Sequence, residues 1–251
     1  MRPKFLICAL VLLSLCCEES LPPLNFQPKH LSEYELELCK DGPCPQLDLS
    51  YLQVEGNGER IDKINQELSN LIVEFLSYDS IIPASRSIEE AASQFAEEYQ
   101  AFKTDFPEST ITYEAETSSS VIYDDAKLLC VAFDAYAYTG GAHGYGYRQC
   151  ITFEISTGKV LSLGDFFTDL EQVTAFAKAE FLKKNGFSKD TPLSETGFWF
   201  DEEQFYLPEN VAVHADSLVF TYNQYEIASY ADGPQTLSIA IADLGDWWRF
   251  K

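Results

Sequence analysis

The run AKLLCVAFDAYAYTGGAHGYGYRQCITFEI, residues 126–155, constrains the fold more than any other stretch of the chain. Its two arms are rich in β-branched and aromatic residues that alternate with polar ones, the pattern of strands in a half-buried antiparallel sheet. The segment between them carries Gly140, Gly141 and Gly144. Glycine permits positive φ and close backbone approach, which a tight connection between antiparallel strands demands. The preceding STITYEAETSSSVIYDD (109–125) has the same strand-like texture. A chain built round such segments must hold an antiparallel sheet and supply other elements to cover it.

Helices are legible from apolar spacing. Ile61, Ile64, Leu68, Leu71, Ile72 and Phe75 recur at intervals of three and four, which predicts a helix packed on the sheet. Ser87 followed by Glu90 is a capping-box signal, and Ile88, Ala92, Phe95, Tyr99 and Phe102 form the stripe of a second helix. A third is expected from Leu170 to Lys184, opened by Thr168 and Glu171 and stopped at Asn185-Gly186. YELELC (34–39), LDLSYLQV (47–54), QFYL (204–207), NVAVHADSLVFTYN (210–223) and TLSIAIADL (236–244) read as strands. This order argues for an α+β fold with mainly antiparallel sheet rather than a doubly wound one. Trp247 and Trp248 read as a packed tail.

At the N-terminus, Arg2 and Lys4 precede an apolar run from Phe5 to Leu15 that stops at Cys16-Cys17. The run has the length of a signal-peptide core and is well short of the ~20 residues of a membrane span. Residues 1–16 are expected to be a lipoprotein leader, with Cys17 lipidated and 17–33 a tether; an ordinary secretory signal is the alternative. Without Arg2 and Lys4, 15 basic residues face 40 acidic ones, a net charge of −25. Such a surface repels nucleic acid and steers cationic partners toward it. Beyond the leader, Cys39, Cys44, Cys130 and Cys150 form an even set, as expected for disulfides in an oxidising compartment. Asp41-Gly42-Pro43 would turn Cys39 toward Cys44, while Cys130 and Cys150 lie on the arms of the glycine loop. Neither pair has a zinc-ligand spacing, and no metal or cofactor is expected.

Three motifs in order carry a family likeness: YTGGAHGY (138–145), ITFEISTGKVLSLGDFF (151–167) and LVFTYNQYEIASYADG (218–233). They resemble an extracytoplasmic domain family shared by the anti-sigma factor RsiV and the N-terminal region of the peptidoglycan deacetylase PdaC. The resemblance implies two lobes, a small N-terminal α/β unit (34–135) and a C-terminal α+β unit (136–251). It also implies a sensory or binding module, in RsiV-like proteins a receptor for lysozyme. The anti-sigma segment and the metal-binding motifs of the deacetylase domain have no counterpart here, so those activities are not carried over.

Tyr138, Gly140, Gly141, His143 and Gly144, with Tyr225, Glu226 and Tyr230, are the candidate ligand- or partner-binding residues. The loop reads first as a turn imposed by backbone geometry, with His143 bonding main chain. Ile227 is expected to be buried, and the hydroxyls of Tyr225 and Tyr230 either bond internally or face a partner. No H-E-x-x-H, G-x-S-x-G or P-loop pattern occurs. Asp134, Asp165 and Glu226 could supply carboxylates for glycoside cleavage, but 40 acidic residues make chance candidates inevitable. The expectation is a non-enzymatic, membrane-anchored envelope protein that binds a lysozyme-type protein or peptidoglycan glycan; a wall-modifying enzyme or a structural lipoprotein is the alternative.

Overall fold

The computed structural model describes residues 22–77 and 87–251; the expected leader and the Cys17 anchor lie outside them. Strands β1 (Phe26–Ser32) and β2 (Gln46–Val54) precede helices α1 (Glu59–Leu76) and α2 (Ile88–Asp105). Then come β3 (Glu114–Asp124), β4 (Leu128–Tyr138), β5 (Tyr145–Glu154) and β6 (Lys159–Val160). These six strands form one sheet in sequence order, antiparallel except for β2–β3. The short α3 (Leu163–Phe166) and α4 (Leu170–Lys184) lead to a second, antiparallel sheet of β7 (Val211–Val213), β8 (Ser217–Tyr222) and β9 (Gln235–Ala240). A single turn of helix, α5 (Ile241–Leu244), follows. The architecture is α+β and mainly antiparallel, and among the described residues no helix is long and apolar enough to cross a membrane.

The predicted hairpin is the spine. β4 is not half-buried but buried on both faces from Leu128 to Phe133. Leu129, Val131, Phe133 and Ala135 join a core with α1 and α2. Leu128, Cys130 and Ala132 join a second core with α4 and the small sheet. A near-continuous apolar run is what a doubly covered strand requires, and LLCVAF is one. The boundary expected between 135 and 136 therefore falls inside a strand that serves both halves.

Both early helices form as their stripes predict. Ile61, Ile64, Leu68, Leu71, Ile72 and Leu76 are buried on α1, and Phe75 meets Phe133 edge-on at 6.4 Å. Ser87 Oγ accepts the Glu90 N–H at 3.1 Å and Glu90 returns the bond to the Ser87 N–H at 3.0 Å, closing the capping box. The tail packs as expected: Trp248 stacks on Phe166 at 5.9 Å and bridges to Phe167.

Several expectations are corrected. Residues 26–32 are not tether but β1, paired with β2 from Phe26↔Val54 to Ser32↔Asp48. Pro28 is tolerated because the strand lies at the sheet edge, where a missing N–H breaks no ladder. YELELC is not a strand but two 3₁₀ turns, Glu33–Glu35 and Glu37–Cys39. There Ser32 and Glu35 form a capping box, and the Cys39–Cys44 disulfide reverses the chain. QFYL is irregular, its Phe205 packed against Phe181 and Phe200. The cap of α4 is Asp169, which accepts the Gln172 N–H at 3.0 Å, while Thr168 bonds the C-terminal tail. Cys130 and Cys150 are buried free thiols. Cys130 lies opposite Thr152 and Cys150 opposite Ala132. Diagonal neighbours sit ~7–8 Å apart, beyond the ~4.4–6.8 Å Cα span of a disulfide. Burial pushes the Cys150 thiol up to about 12, with Cys130 adding to it.

Candidate functional site

The glycine loop is a turn built for close packing. Gly140 and Gly141 have φ of 112° and 94°, values that residues with a Cβ rarely adopt. A Cβ at Gly144 would lie 2.4 Å from the Tyr136 hydroxyl, so the ring of the preceding strand sits directly on this backbone. Tyr138 closes the loop by donating its hydroxyl to Gly141 O at 3.2 Å. His143 Nδ1 lies 2.8 Å from Gly144 O. A carbonyl can only accept, so the ring donates through Nδ1–H.

The same histidine ring stacks on Tyr230, centroids 3.9 Å apart and planes 20° apart. Tyr230 donates to the same Gly144 carbonyl at 3.4 Å, and Tyr225 lies 5.7 Å beyond it. Tyr225 is exposed and holds a positive φ of 69°, an uncommon conformation for a bulky residue. Ile227 is fully buried beneath them. Thus the glycine loop and the YEIASYADG segment form one surface. Glu226 is not part of it: it borders a separate recess with Tyr206, Asn210 and Asn223. Its carboxyl is raised by desolvation although the residue keeps surface exposure.

A groove of about 930 Å³ opens beside this contact, where the face of the large sheet that carries the second core runs on past Ala132 to Asp134 and Tyr136, and Ala212, Val219 and Thr221 of the small sheet line it too. Ala132, Ala212 and Val219 leave the space, being small at facing positions. Ser50, Ser118, Ser120, Thr221 and Thr236 contribute hydroxyls, and Tyr136 and Tyr230 stand at its loop end. The acids are Asp48, Glu116 and Asp134. Asp134 holds Arg148 in a two-point ion pair at 2.7 and 2.8 Å, which raises the guanidinium. This lining was missed from sequence, where alternating Ser and Glu on β3 reads as an ordinary solvated face. The signal was the alternation of polar residues opposite a buried set.

The three carboxylates proposed for bond cleavage have separate partners. Asp134 is tied to Arg148; Asp165 caps Ser162 and pairs with Lys159; Glu226 lies in its own recess. Among the described residues no group of three or more His, Cys, Asp or Glu is placed to hold a metal.

Residues 38–145 match a family model described as deacetylase PdaC, and residues 164–242 match one described as a protein of unknown function, DUF3298. Together the two matches support a PdaC/DUF3298-type domain family for this chain. A curated relative, the peptidoglycan-N-acetylmuramic acid deacetylase PdaC of Bacillus subtilis (strain 168), is 24% identical over 165 residues. That match takes in 64% of this chain but only 34% of the relative. Two solved DUF3298-family structures share the fold. The one from Bacteroides fragilis has a TM-score of 0.68 at 21% identity, covering 90% of this chain and 94% of its own. The one from Pseudomonas aeruginosa PAO1 has a TM-score of 0.62 at 20% identity, covering 91% and 96%. In this PdaC/DUF3298-type chain His143 lies in the PdaC-type region and Tyr230 in the DUF3298 region. The stacked pair is therefore a joint between the two.

Proposed function

We propose that this protein is an extracytoplasmic binding module of the bacterial cell envelope, held by a lipid on Cys17, and that its groove takes a cell-wall glycan. The observation that carries the reading is the groove of about 930 Å³ with its hydroxyls, carboxylates and tyrosine rings. Sugars offer many hydroxyls that such side chains bond, and apolar ring faces that suit aromatic groups. The likeness to a peptidoglycan deacetylase supports a ligand drawn from the wall. In this reading the protein acts as a binder, since Asp134 is engaged by Arg148 and Asp165 by Ser162 and Lys159.

A second reading is favoured by charge. A net −23 over the chain steers basic proteins, and a lysozyme-type protein is the partner the RsiV likeness implies. Calorimetric titration with soluble wall fragments and with lysozyme, at low and moderate salt, separates the two. Saturable glycan binding without release of product supports the glycan reading, and product release overturns the non-enzymatic role. One-to-one lysozyme binding that survives moderate salt, with no glycan binding, transfers the function to the second reading.

A further inference from the structure

We infer that a second recess, bordered by the glycine loop, takes the quaternary ammonium group of a soluble choline-type compound. The groove lies on the face of the β4–β5 hairpin that carries the second core. This recess lies on the opposite face, beside α1 and α2, and its volume is about 490 Å³. The register explains the space. Tyr145 and Tyr147 on β5 stand opposite Ala137 and Ala135 on β4, so large rings rise beside methyl groups and leave room above β4. Gly140, His143 and Gly144 close the loop end.

The walls are aromatic. Phe75 of α1 meets Tyr147 edge-on with centroids 6.1 Å apart, and Tyr145 lies 6.0 Å from Tyr147. Tyr113, just before β3, lines the α2 side, backed by Phe95 at 6.0 Å and stacked on Phe102 at 5.2 Å. Rings that hold one another in this way are set before a ligand arrives. Burial, ahead of Tyr145 and Glu74, pushes the Tyr147 hydroxyl up to about 12, as a poorly hydrated wall does.

Charge then decides the occupant. Glu74 of α1 and Glu98 of α2 line the recess, and both are exposed. Among the described residues Glu74 has no hydrogen bond or ion pair, and Glu98 accepts only the Gln94 side-chain amide, at 3.0 Å. No Lys or Arg stands among the described lining residues. An aromatic face attracts a cation through its quadrupole, the more so where water is excluded. The two carboxylates add a field of the same sense from the rim. A primary ammonium would bring three N–H groups, strongly hydrated, into a space walled chiefly by carbon. A quaternary ammonium has no N–H to satisfy, and its methyl groups pack against the rings. A net charge of −23 over the chain disfavours an anionic bilayer as the source, which leaves a soluble compound.

The test is calorimetric titration of the full chain, at moderate salt, with choline and with 3,3-dimethylbutanol, its uncharged carbon counterpart. Choline should bind at least about tenfold more tightly, a difference of about 1.4 kcal/mol. Ethanolamine, whose ammonium carries protons in place of methyl groups, should bind at least about tenfold more weakly than choline. Y145L keeps apolar contact but removes the ring, and should cut the preference for choline over the alcohol to about twofold; Y145F should keep it. E74Q, at an exposed position, should weaken choline about two- to fivefold and leave the alcohol unchanged, and it serves alone should Y145L fail to fold. Glu97 is exposed and does not line the recess, so E97Q should bind as the unaltered chain does. Equal affinity for choline and the alcohol, or for choline and ethanolamine, overturns the assignment of a quaternary ammonium, as does binding of none of them. A preference that survives both Y145L and E74Q overturns the assignment to this recess. Binding to phosphatidylcholine vesicles without binding to free choline overturns the soluble ligand. None of these outcomes touches the glycan reading, which rests on the groove.

Discussion

At the scale of single residues, the family motifs are stabilising contacts before they are anything else. Gly158, the glycine of the Thr-Gly-Lys turn, has φ of 70°, and a Cβ there would stand 2.5 Å from the backbone oxygen of Arg60. Backbone of α1 cannot swing aside as a side chain can, so G158A combines strain with a clash. It should destabilise the fold by roughly 1–3 kcal/mol in denaturant titration. Gly144 makes a different case: its added Cβ would meet the ring of Tyr136, which is partly exposed and can rotate. Asp165, of the Leu-Gly-Asp-Phe-Phe segment, is lowered to about 2, first by the Ser162 N–H, then by the Ser162 hydroxyl and Lys159. Its folded value lies below the unfolded one, so its contribution is complete above about pH 4 and is lost as pH falls toward 2. D165N should lower stability at neutral pH and reduce the loss between about pH 4 and 2, as read by urea melts across that range. An unchanged acid limb would show that Asp165 does not carry this contribution.

At the scale of elements, β5 shows how the second half of the chain is fastened to the first. β6 covers only Phe153 and Glu154 of its outer edge. Further along, two side chains stand in for a strand. Asn223 accepts the Arg148 N–H at 3.0 Å and donates to Arg148 O at 2.9 Å. Asn210 accepts the Cys150 N–H at 2.8 Å and donates to Arg148 O at 2.7 Å. N223A leaves the Arg148 N–H unbonded, at a cost of about 1–3 kcal/mol. It should also raise hydrogen exchange at Arg148 more than at Val131 in β4. Neither asparagine was legible as a clamp, because the edge it completes lies 60 or more residues away. Legibility elsewhere followed the range of the forces. The helices and the β4–β5 hairpin were readable because their stripes and glycines act locally. β1 was not, since Pro28 and Lys29 in a polar run look like tether until a neighbouring strand recruits them. The candidate site divides in the same way: its glycine loop and tyrosines stood out as motifs, whereas the His143–Tyr230 stack exists only after folding.

At the scale of the molecule, the question is whether the regions matching two family models are two folding units. β4 argues that they are not. Alternate residues of one strand enter different cores, with Leu129, Val131 and Phe133 on one side and Leu128, Cys130 and Ala132 on the other. Each of these six is at most 2% exposed. Removing the C-terminal region would bare the second face of β4 and β5 and release the Asn210 and Asn223 clamps. Burial of one large apolar side chain is worth about 1.5–3 kcal/mol, so a handful of such exposures rivals the ~5–15 kcal/mol by which a typical domain is stable. The described chain should therefore unfold in a single transition. Near-ultraviolet signals from Trp247 and Trp248 should fall together with the far-ultraviolet signal of α1 and α2. A fragment ending before α3 should lack a cooperative melt. Two separated transitions, or a fragment that melts cooperatively, would mean that the shared strand does not couple the cores. The joint at His143 and Tyr230 would then be a hinge between independent bodies rather than part of one fold.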